Sequence, residues 1–337
     1  MCGCRTVHIW KASVLDVTDR LRTLLHAAWL YYEDGLTQAE IAQQMSVSRA
    51  TVGRFLGDAR KSGLVTFHFH SDRLQSLSLS EDFKQGLGLR AAVVIPDVAG
   101  SVDQKARNER VAHGAAQWLI GQIQQGAVLA LGWGDTVSRT LRALQHVSPN
   151  IVDLVTMTGG ANVYLEAILG GRDEERSGVM KFRASVVPAP LIASSDELAS
   201  ALMREHDIAR ILGESEEAAL TIVGVGTPTP GSTLVELGYA SDEDLAAAVK
   251  QGAVGDLLGQ FFDDDGQVLD LAIHDRRIGI DIASLRNREN VVAVAAGPLK
   301  VQAITAAIRG GYVDVVVTDE STAKAVLELH ESTARSA

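Results

Sequence analysis

The 337-residue chain is 46% hydrophobic and 22% charged, as ordinary globular proteins are, and at roughly 150 residues per domain it has room for about two domains, each with its own core. No run approaches the roughly 20 apolar residues that span a bilayer, and no basic-then-apolar leader opens the chain, so no membrane partner is expected and the expected address is cytoplasmic. The net charge of −11 is uneven: residues 1–71 hold 8 Lys+Arg against 6 Asp+Glu, and residues 72–337 hold 23 against 36, so binding to nucleic acid falls to the small N-terminal part.

In chain order, Cys2, Cys4 and His8 come first. They lack a fourth metal ligand and the two cysteines form no disulfide framework, so no metal is expected there. From Asp16, the residues Leu21, Leu24, Leu25, Ala28 and Tyr32 form one helical stripe that ends near Asp34-Gly35. Thr37-Gln38-Ala39-Glu40 has the form of a capping box, which opens a short second helix burying Ile41, Ala42 and Met45. Ser48 is a good N-cap for a third helix reaching about Lys61, with Gly63 as its stop. There Val52, Leu56 and Ala59 can face the core, leaving Arg49, Ala50, Thr51 and Arg54 outward.

A helix exposing Arg, Thr and small residues suits the major groove, where Arg can bond guanine in a bidentate way and the Ser48 and Thr51 hydroxyls can reach phosphate or base edges. Thr37, Gln38, Ser48, Arg49, Ala50, Thr51, Arg54 and Lys61 are the candidate DNA contacts. Gly53 and Gly57 each cost the helix roughly 1 kcal/mol relative to Ala, which close approach to a partner would explain. Leu64–Phe69 alternates like a strand, giving a (winged) helix-turn-helix over residues 14–71. Residues 72–84 are expected to be a junction, and residues 85–333 the second domain.

In that body, the β-branched runs 91–95, 128–131, 151–157, 220–225, 291–295 and 313–318 alternate with helical stretches, the pattern of βαβ units around a parallel sheet. In such sheets ligands gather outside the carboxyl ends of the strands. Gly132-Trp133-Gly134-Asp135-Thr136, Gly159-Gly160, the loop from Gly226 to Thr233 and Ala296-Gly297-Pro298-Leu299-Lys300 all fall there. Converging N–H groups, a helix N-terminus and a lysine in the first turn of the following helix point to an anionic ligand.

Asp263-Asp264-Asp265-Gly266 fails the calcium-loop register, since Phe261 and Ala272 would occupy ligand positions. It is expected instead to be a hairpin turn joining Phe261-Phe262 to Val268–Leu271. No G-x-S-x-G or H-E-x-x-H motif occurs and no dinucleotide fingerprint is completed, so neither catalytic residues nor a cofactor are expected.

Four segments, YYEDGLTQAEIAQQMSVSRATVGRFLGDARKSGLV, LGWGDTV, GAVGDLLGQFFDDDGQ and AAGPLKVQAITAAIRGGYVDVVVTDESTA, resemble the SorC-type (sugar-binding, DeoR-like) bacterial transcriptional regulators, from about Leu21 onward. The resemblance implies a DNA-binding domain followed by an α/β effector domain with the fold of glucosamine-6-phosphate deaminase and ribose-phosphate isomerase, kept for binding phosphorylated sugars or polyols. It carries the phosphate loop onto Gly134, Asp135 and Thr136, an effector-holding lysine onto Lys300, and a hydroxyl-binding acid onto Asp256. The segments AWLYYEDGLTQAEI, VVPAPLIASS and GGYVDVVVTDESTA are similar to the phospho-autoinducer-2 responsive members, which makes that compound a candidate effector. Val301 follows Lys300 where the family usually has Ala, and Asp135 places a carboxylate beside the expected phosphate, an unfavourable neighbour by Coulomb's law.

The sequence therefore predicts a DNA-binding regulator, a homodimer or homotetramer, whose operator affinity a phosphorylated sugar or polyol modulates. The competing expectation is an active sugar-phosphate isomerase or deaminase with an accessory nucleic-acid-binding domain. A purely architectural DNA-binding protein would leave the 250-residue body without a role.

Overall fold

The computed structural model describes residues 10–62, 64–65, 71–97, 103–124, 126–145, 152–160 and 182–334, with backbone alone at 10–19, 60–61, 71–75, 182 and 334. The chain divides into two compact units, Met1–His70 and Ser71–Ala337.

In the first unit, α1 (Trp10–Tyr32), α2 (Gln38–Gln44) and α3 (Arg49–Lys61) enclose a core of Leu24, Ala28, Leu30, Ile41, Ala42, Val52, Leu56 and Ala59. Val52, Leu56 and Ala59 face inward as their spacing predicts. The expected α1 stripe needs correction. The buried side is Leu24, Ala27, Ala28 and Leu30, while Leu21, Leu25 and Tyr32 are exposed, because α2 and α3 pack on a face rotated away from that stripe. Helix α1 also starts at Trp10, ahead of Asp16. Leu64 and Val65 pack on this core, whereas most of the expected wing strand, like Cys2, Cys4 and His8, lies outside the described residues.

The second unit is built on a seven-stranded parallel sheet in the order β1-β9-β8-β5-β2-β3-β4. Its strands are β1 (Ala91–Ile95), β2 (Val128–Leu131), β3 (Val152–Thr156), β4 (Phe182–Ser185), β5 (Leu220–Val223), β8 (Val291–Val294) and β9 (Val315–Asp319). All six expected runs contribute a strand; β4, FRAS in sequence, carries too little apolar character to be read. Alternate residues feed two cores, as expected for strands buried on both faces. Leu129 and Leu131 enter one core with α5 (Gln104–Ile120) and α6 (Asp135–Gln145). Ala130 enters the other, with helices on the opposite face.

Residues 72–84 are no linker. They lie within α4 (Ser71–Gly86), which packs on β1 and on the C-terminal helix and buries Phe83 completely; a polar surface face on this helix disguised its role. The acidic run forms the expected turn: Asp263 Oδ1 accepts the N–H groups of Asp265 and Gln267, Phe262 bridges Val268 in antiparallel fashion, and Leu269 N–H donates to Phe261 O. A second hairpin, not expected, precedes it, β6 (Gly255–Leu257) with β7 (Gln260–Phe262), turning at Leu258-Gly259.

Candidate functional site

Each unit presents one candidate site. In the first, the Thr37 hydroxyl accepts from Glu40 N–H at 3.3 Å, and the Glu40 carboxylate accepts from Thr37 N–H at 2.8 Å, completing the capping box at the start of α2. Burial of Glu40 is negligible, so the Thr37 hydrogen bonds hold its carboxyl below the usual range. Ser48 Oγ caps α3 by accepting from Thr51 N–H at 3.1 Å and lies 2.8 Å from Thr51 Oγ1. Both hydroxyls are thus engaged in starting the helix, each keeping lone pairs for a further partner.

Arg49, Ala50 and Arg54 are exposed along α3, and Thr37, Gln38 and Arg49 line one open groove with Tyr31 and Ala39. The Lys61 side chain lies outside the described residues. A Cβ added at Gly57 would meet nothing within 4 Å, and one at Gly53 only Gln38 Oε1 at 3.7 Å. Among the described residues of the unit no contact explains these glycines, which leave the outer surface of α3 smooth beside Arg49 and Arg54.

In the second unit, the loops after β2, β5 and β8 surround a cleft at the carboxyl ends of the central strands. It gathers Gly134, Asp135, Thr136, Gly226, Asp256 and Lys300, distant in sequence and all expected there. Gly134 has φ of +134° and leads into α6, whose first N–H groups have no intrahelical acceptor. Across from it, Lys300 Nζ reaches Thr227 Oγ1 at 3.5 Å. Burial lowers the Lys300 pKa, opposed by attraction to Asp256. Burial likewise raises Asp256 to about 6, against the pull of Lys300 and a hydrogen bond from Gly259 N–H.

Gly226 exists for Asp256. The two pair backbone to backbone, with Gly226 N–H to Asp256 O at 2.9 Å, and a Cβ at residue 226 would fall 1.7 Å from Asp256 Oδ1. Only glycine lets the carboxyl lie over this strand end.

The conflict at Asp135 resolves in its surroundings. Its carboxylate turns to Arg139 Nε at 2.8 and 2.9 Å and accepts from Asn108 Nδ2 at 3.0 Å, while Arg139 also bonds Glu109. Burial pushes the carboxyl up, but the Arg139 and Asn108 hydrogen bonds together hold it below its ordinary value. The negative charge is compensated before any ligand arrives. Thr136 Oγ1 donates to Val294 O at 2.7 Å, tying the turn to β8.

Gly132, Gly159, Gly160 and Gly297 do not line the cleft. Gly132 N–H bonds Ile222 O, Gly159 N–H bonds Ile278 O, Gly160 N–H bonds Ala189 O and Gly297 N–H bonds Thr322 Oγ1. Added Cβ atoms would strike Leu258 at Gly132, the Pro190 carbonyl at Gly159 and Gln104 at Gly297, so these glycines serve close packing. Conversely, Asn108 and Leu234 line the cleft from outside the segments expected there, and Trp133 and Ser232 line it from within the expected loops. Trp133 lies two residues past β2, inside the expected glycine turn; Asn108, on α5, carried no signal.

Comparison with known proteins places these observations. A family model described as "Putative sugar-binding domain" matches residues 71–328. The transcriptional regulator LsrR of Klebsiella pneumoniae subsp. pneumoniae is 36% identical over 309 residues, covering 90% of this chain and 91% of that protein. LsrR of Escherichia coli O157:H7 is 34% identical over 304 residues, with 89% and 92% covered. Among solved structures, the full-length sorbitol operon regulator SorC from Klebsiella pneumoniae shares the fold, with a TM-score of 0.65, 23% identity and 91% and 98% coverage. A DeoR family transcriptional regulator from Listeria monocytogenes has a TM-score of 0.66 at 26% identity, covering 75% of this chain and 99% of its own.

Proposed function

This chain belongs to the SorC-type family of sugar-binding transcriptional regulators, and from that premise we propose that its effector is a phosphorylated sugar or polyol, bound in the cleft at the carboxyl ends of β2, β5 and β8. The chain is a sugar-responsive DNA-binding regulator and not an isomerase or deaminase: the relatives covering its length are named transcriptional regulators. No helix among the described residues is long and apolar enough to cross a membrane.

One observation carries the reading. A partly buried lysine stands across the cleft from a glycine turn at the start of an eleven-residue helix whose own carboxylate is already neutralised. Lys300 and the first N–H groups of α6 suit a dianionic phosphate. Asp256, buried behind Gly226, suits the hydroxyl groups of the attached chain or ring, and phospho-autoinducer-2 is a candidate of this class. Arg49 and Arg54 read bases or phosphates from α3, beside Ser48, Ala50, Thr51, Thr37 and Gln38. Operator sites with two half-sites imply a homodimer or homotetramer.

Calorimetry with ribose 5-phosphate and other sugar and polyol phosphates, phospho-autoinducer-2 among them, each beside its unphosphorylated counterpart, tests the reading. It expects heat from at least one phosphorylated member and none from its counterpart. Equal binding of both would remove the phosphate from the account.

A further inference from the structure

Helix α5 carries two carboxamides one turn apart, Gln104 and Asn108, that join the two loops facing each other across the cleft. Gln104 Nε2 donates to Asn108 Oδ1 and to Ala296 O, each at 2.7 Å, and Asn108 Nδ2 donates to Asp135 Oδ2 at 3.0 Å. Gly297 makes room for the first of them, since its φ is +116° and an added Cβ would strike the Gln104 carboxamide. The bonds thus run from the loop that carries Lys300, over α5, to the turn that starts α6. Asparagine in the middle of a helix is disfavoured relative to alanine, so helix formation does not account for residue 108.

The same bonds fix which way each amide faces. Turned end for end, Asn108 would set Oδ1 against the Asp135 carboxylate and Nδ2 against Gln104 Nε2. Gln104, reversed, would set Oε1 against the Ala296 carbonyl. Both reversals oppose like groups. A primary amide has two N–H donors. Asp135 takes one from Asn108, and no described residue accepts the other, on a partly buried side chain that lines the cleft with Gly134, Thr136 and Lys300. Arg139 Nε already bonds both oxygens of Asp135, so that carboxylate does not depend on Asn108 alone.

We propose that Asn108 binds the effector directly, donating its second amide hydrogen to a phosphate oxygen, and that Gln104 is the positioning residue that keeps it turned to do so. The inference rests on the phosphate reading of the cleft. It gives the anion a third partner from a third segment, besides Lys300 and the first N–H groups of α6. An amide locked as a donor favours an ionised oxygen over a hydroxyl group, because charge strengthens the bond.

Thermal unfolding of the full-length protein across a titration with inorganic phosphate, at constant ionic strength, tests it. The part of the stabilisation that Lys300→Ala removes reports the cleft. Asn108→Ala should raise the apparent dissociation constant of that part about tenfold, and Gln104→Ala should fall between Asn108→Ala and wild type. Without phosphate, both should unfold near the wild-type temperature. The loss from Asn108→Ala should persist in an Asp135→Asn background, where there is no carboxylate charge left to offset. A loss that vanishes there would mean that Asn108 only compensates Asp135, and overturns the proposal. So does wild-type phosphate affinity in Asn108→Ala, which leaves the phosphate reading standing if Lys300→Ala still removes the stabilisation. Wild-type affinity in Gln104→Ala overturns its positioning role. A wild-type stabilisation that Lys300→Ala does not reduce overturns the proposal and the phosphate reading together.

Discussion

The two candidate sites are built in opposite ways. The reading surface of the first unit comes from residues contiguous in sequence, Thr37 to Arg54, exposed on a helix-turn-helix whose caps are made by immediate neighbours. The cleft of the second unit gathers Asn108, Gly134, Gly226, Asp256 and Lys300 from five separate segments, with Asp256 buried and Lys300 partly so. A local, solvated site tolerates the loss of one contact. A buried, assembled site does not, because each charged group there depends on another to offset its desolvation.

The contrast is sharpest at Gly226. Gly226→Ala would drive a methyl group into the Asp256 carboxyl, and is expected to abolish effector binding and lower the unfolding temperature while leaving operator affinity of the ligand-free protein intact. Calorimetry and thermal unfolding check this; retained effector affinity would mean that Asp256 is not where the ligand sits.

Lys300→Ala comes next. Charge-assisted bonds to phosphate contribute about 1.5–3 kcal/mol each, so effector binding should weaken tenfold or more, again without loss of DNA binding. It should also destabilise the ligand-free protein slightly, since buried Asp256 loses the cation that offsets its desolvation. An unchanged effector affinity by calorimetry would break the comparison.

Arg49→Ala and Arg54→Ala probe the tolerant site. Loss of a bidentate base contact costs about 1–3 kcal/mol and relaxes sequence preference; loss of a phosphate contact weakens all sequences alike and lowers the salt slope by about one. Mobility-shift titrations at two salt concentrations separate the roles, and wild-type binding by both variants would take α3 out of the groove. The effector response per bound operator should persist in both.

The smallest effect is a pH slope. Asp256 titrates near 6 in the folded chain, above its ordinary value of 3.8, so the folded state holds this proton more tightly than the unfolded one. Its stabilising contribution is full below about pH 4 and is lost as pH rises through about 6. Asp256→Asn should remove that slope and leave the ligand-free protein at pH 7 as stable as wild type or more so. An identical slope in the variant would place the titration elsewhere.

What the sequence disclosed follows the same division. The caps at Thr37 and Ser48, the inward Val52-Leu56-Ala59 face and the buried strands were legible because each rests on neighbours within a few residues. The face of α1 was misjudged because which stripe is buried depends on where α2 and α3 lie, and Leu21 and Leu25 are as apolar as Leu24. In the cleft, the glycine turns advertised themselves by composition, but composition does not distinguish Gly134, which lines the cleft, from Gly132 and Gly159, which serve packing. The Asn108 and Arg139 partners of Asp135 join segments that only the folded sheet brings together.

The central claim is that occupancy of the buried cleft changes the affinity of the exposed reader. A coupling of this kind is reciprocal, and is typically worth about 5–150-fold in affinity. The direct measurement is operator binding by fluorescence anisotropy, for wild type and Lys300→Ala, with and without the sugar or polyol phosphate that calorimetry identifies. The account predicts equal operator affinity for the two proteins without ligand, a clear shift in wild type when it is added, and none in the variant at the same concentration. A ligand that occupies the wild-type cleft without moving operator affinity, or a full shift retained by Lys300→Ala, would contradict it.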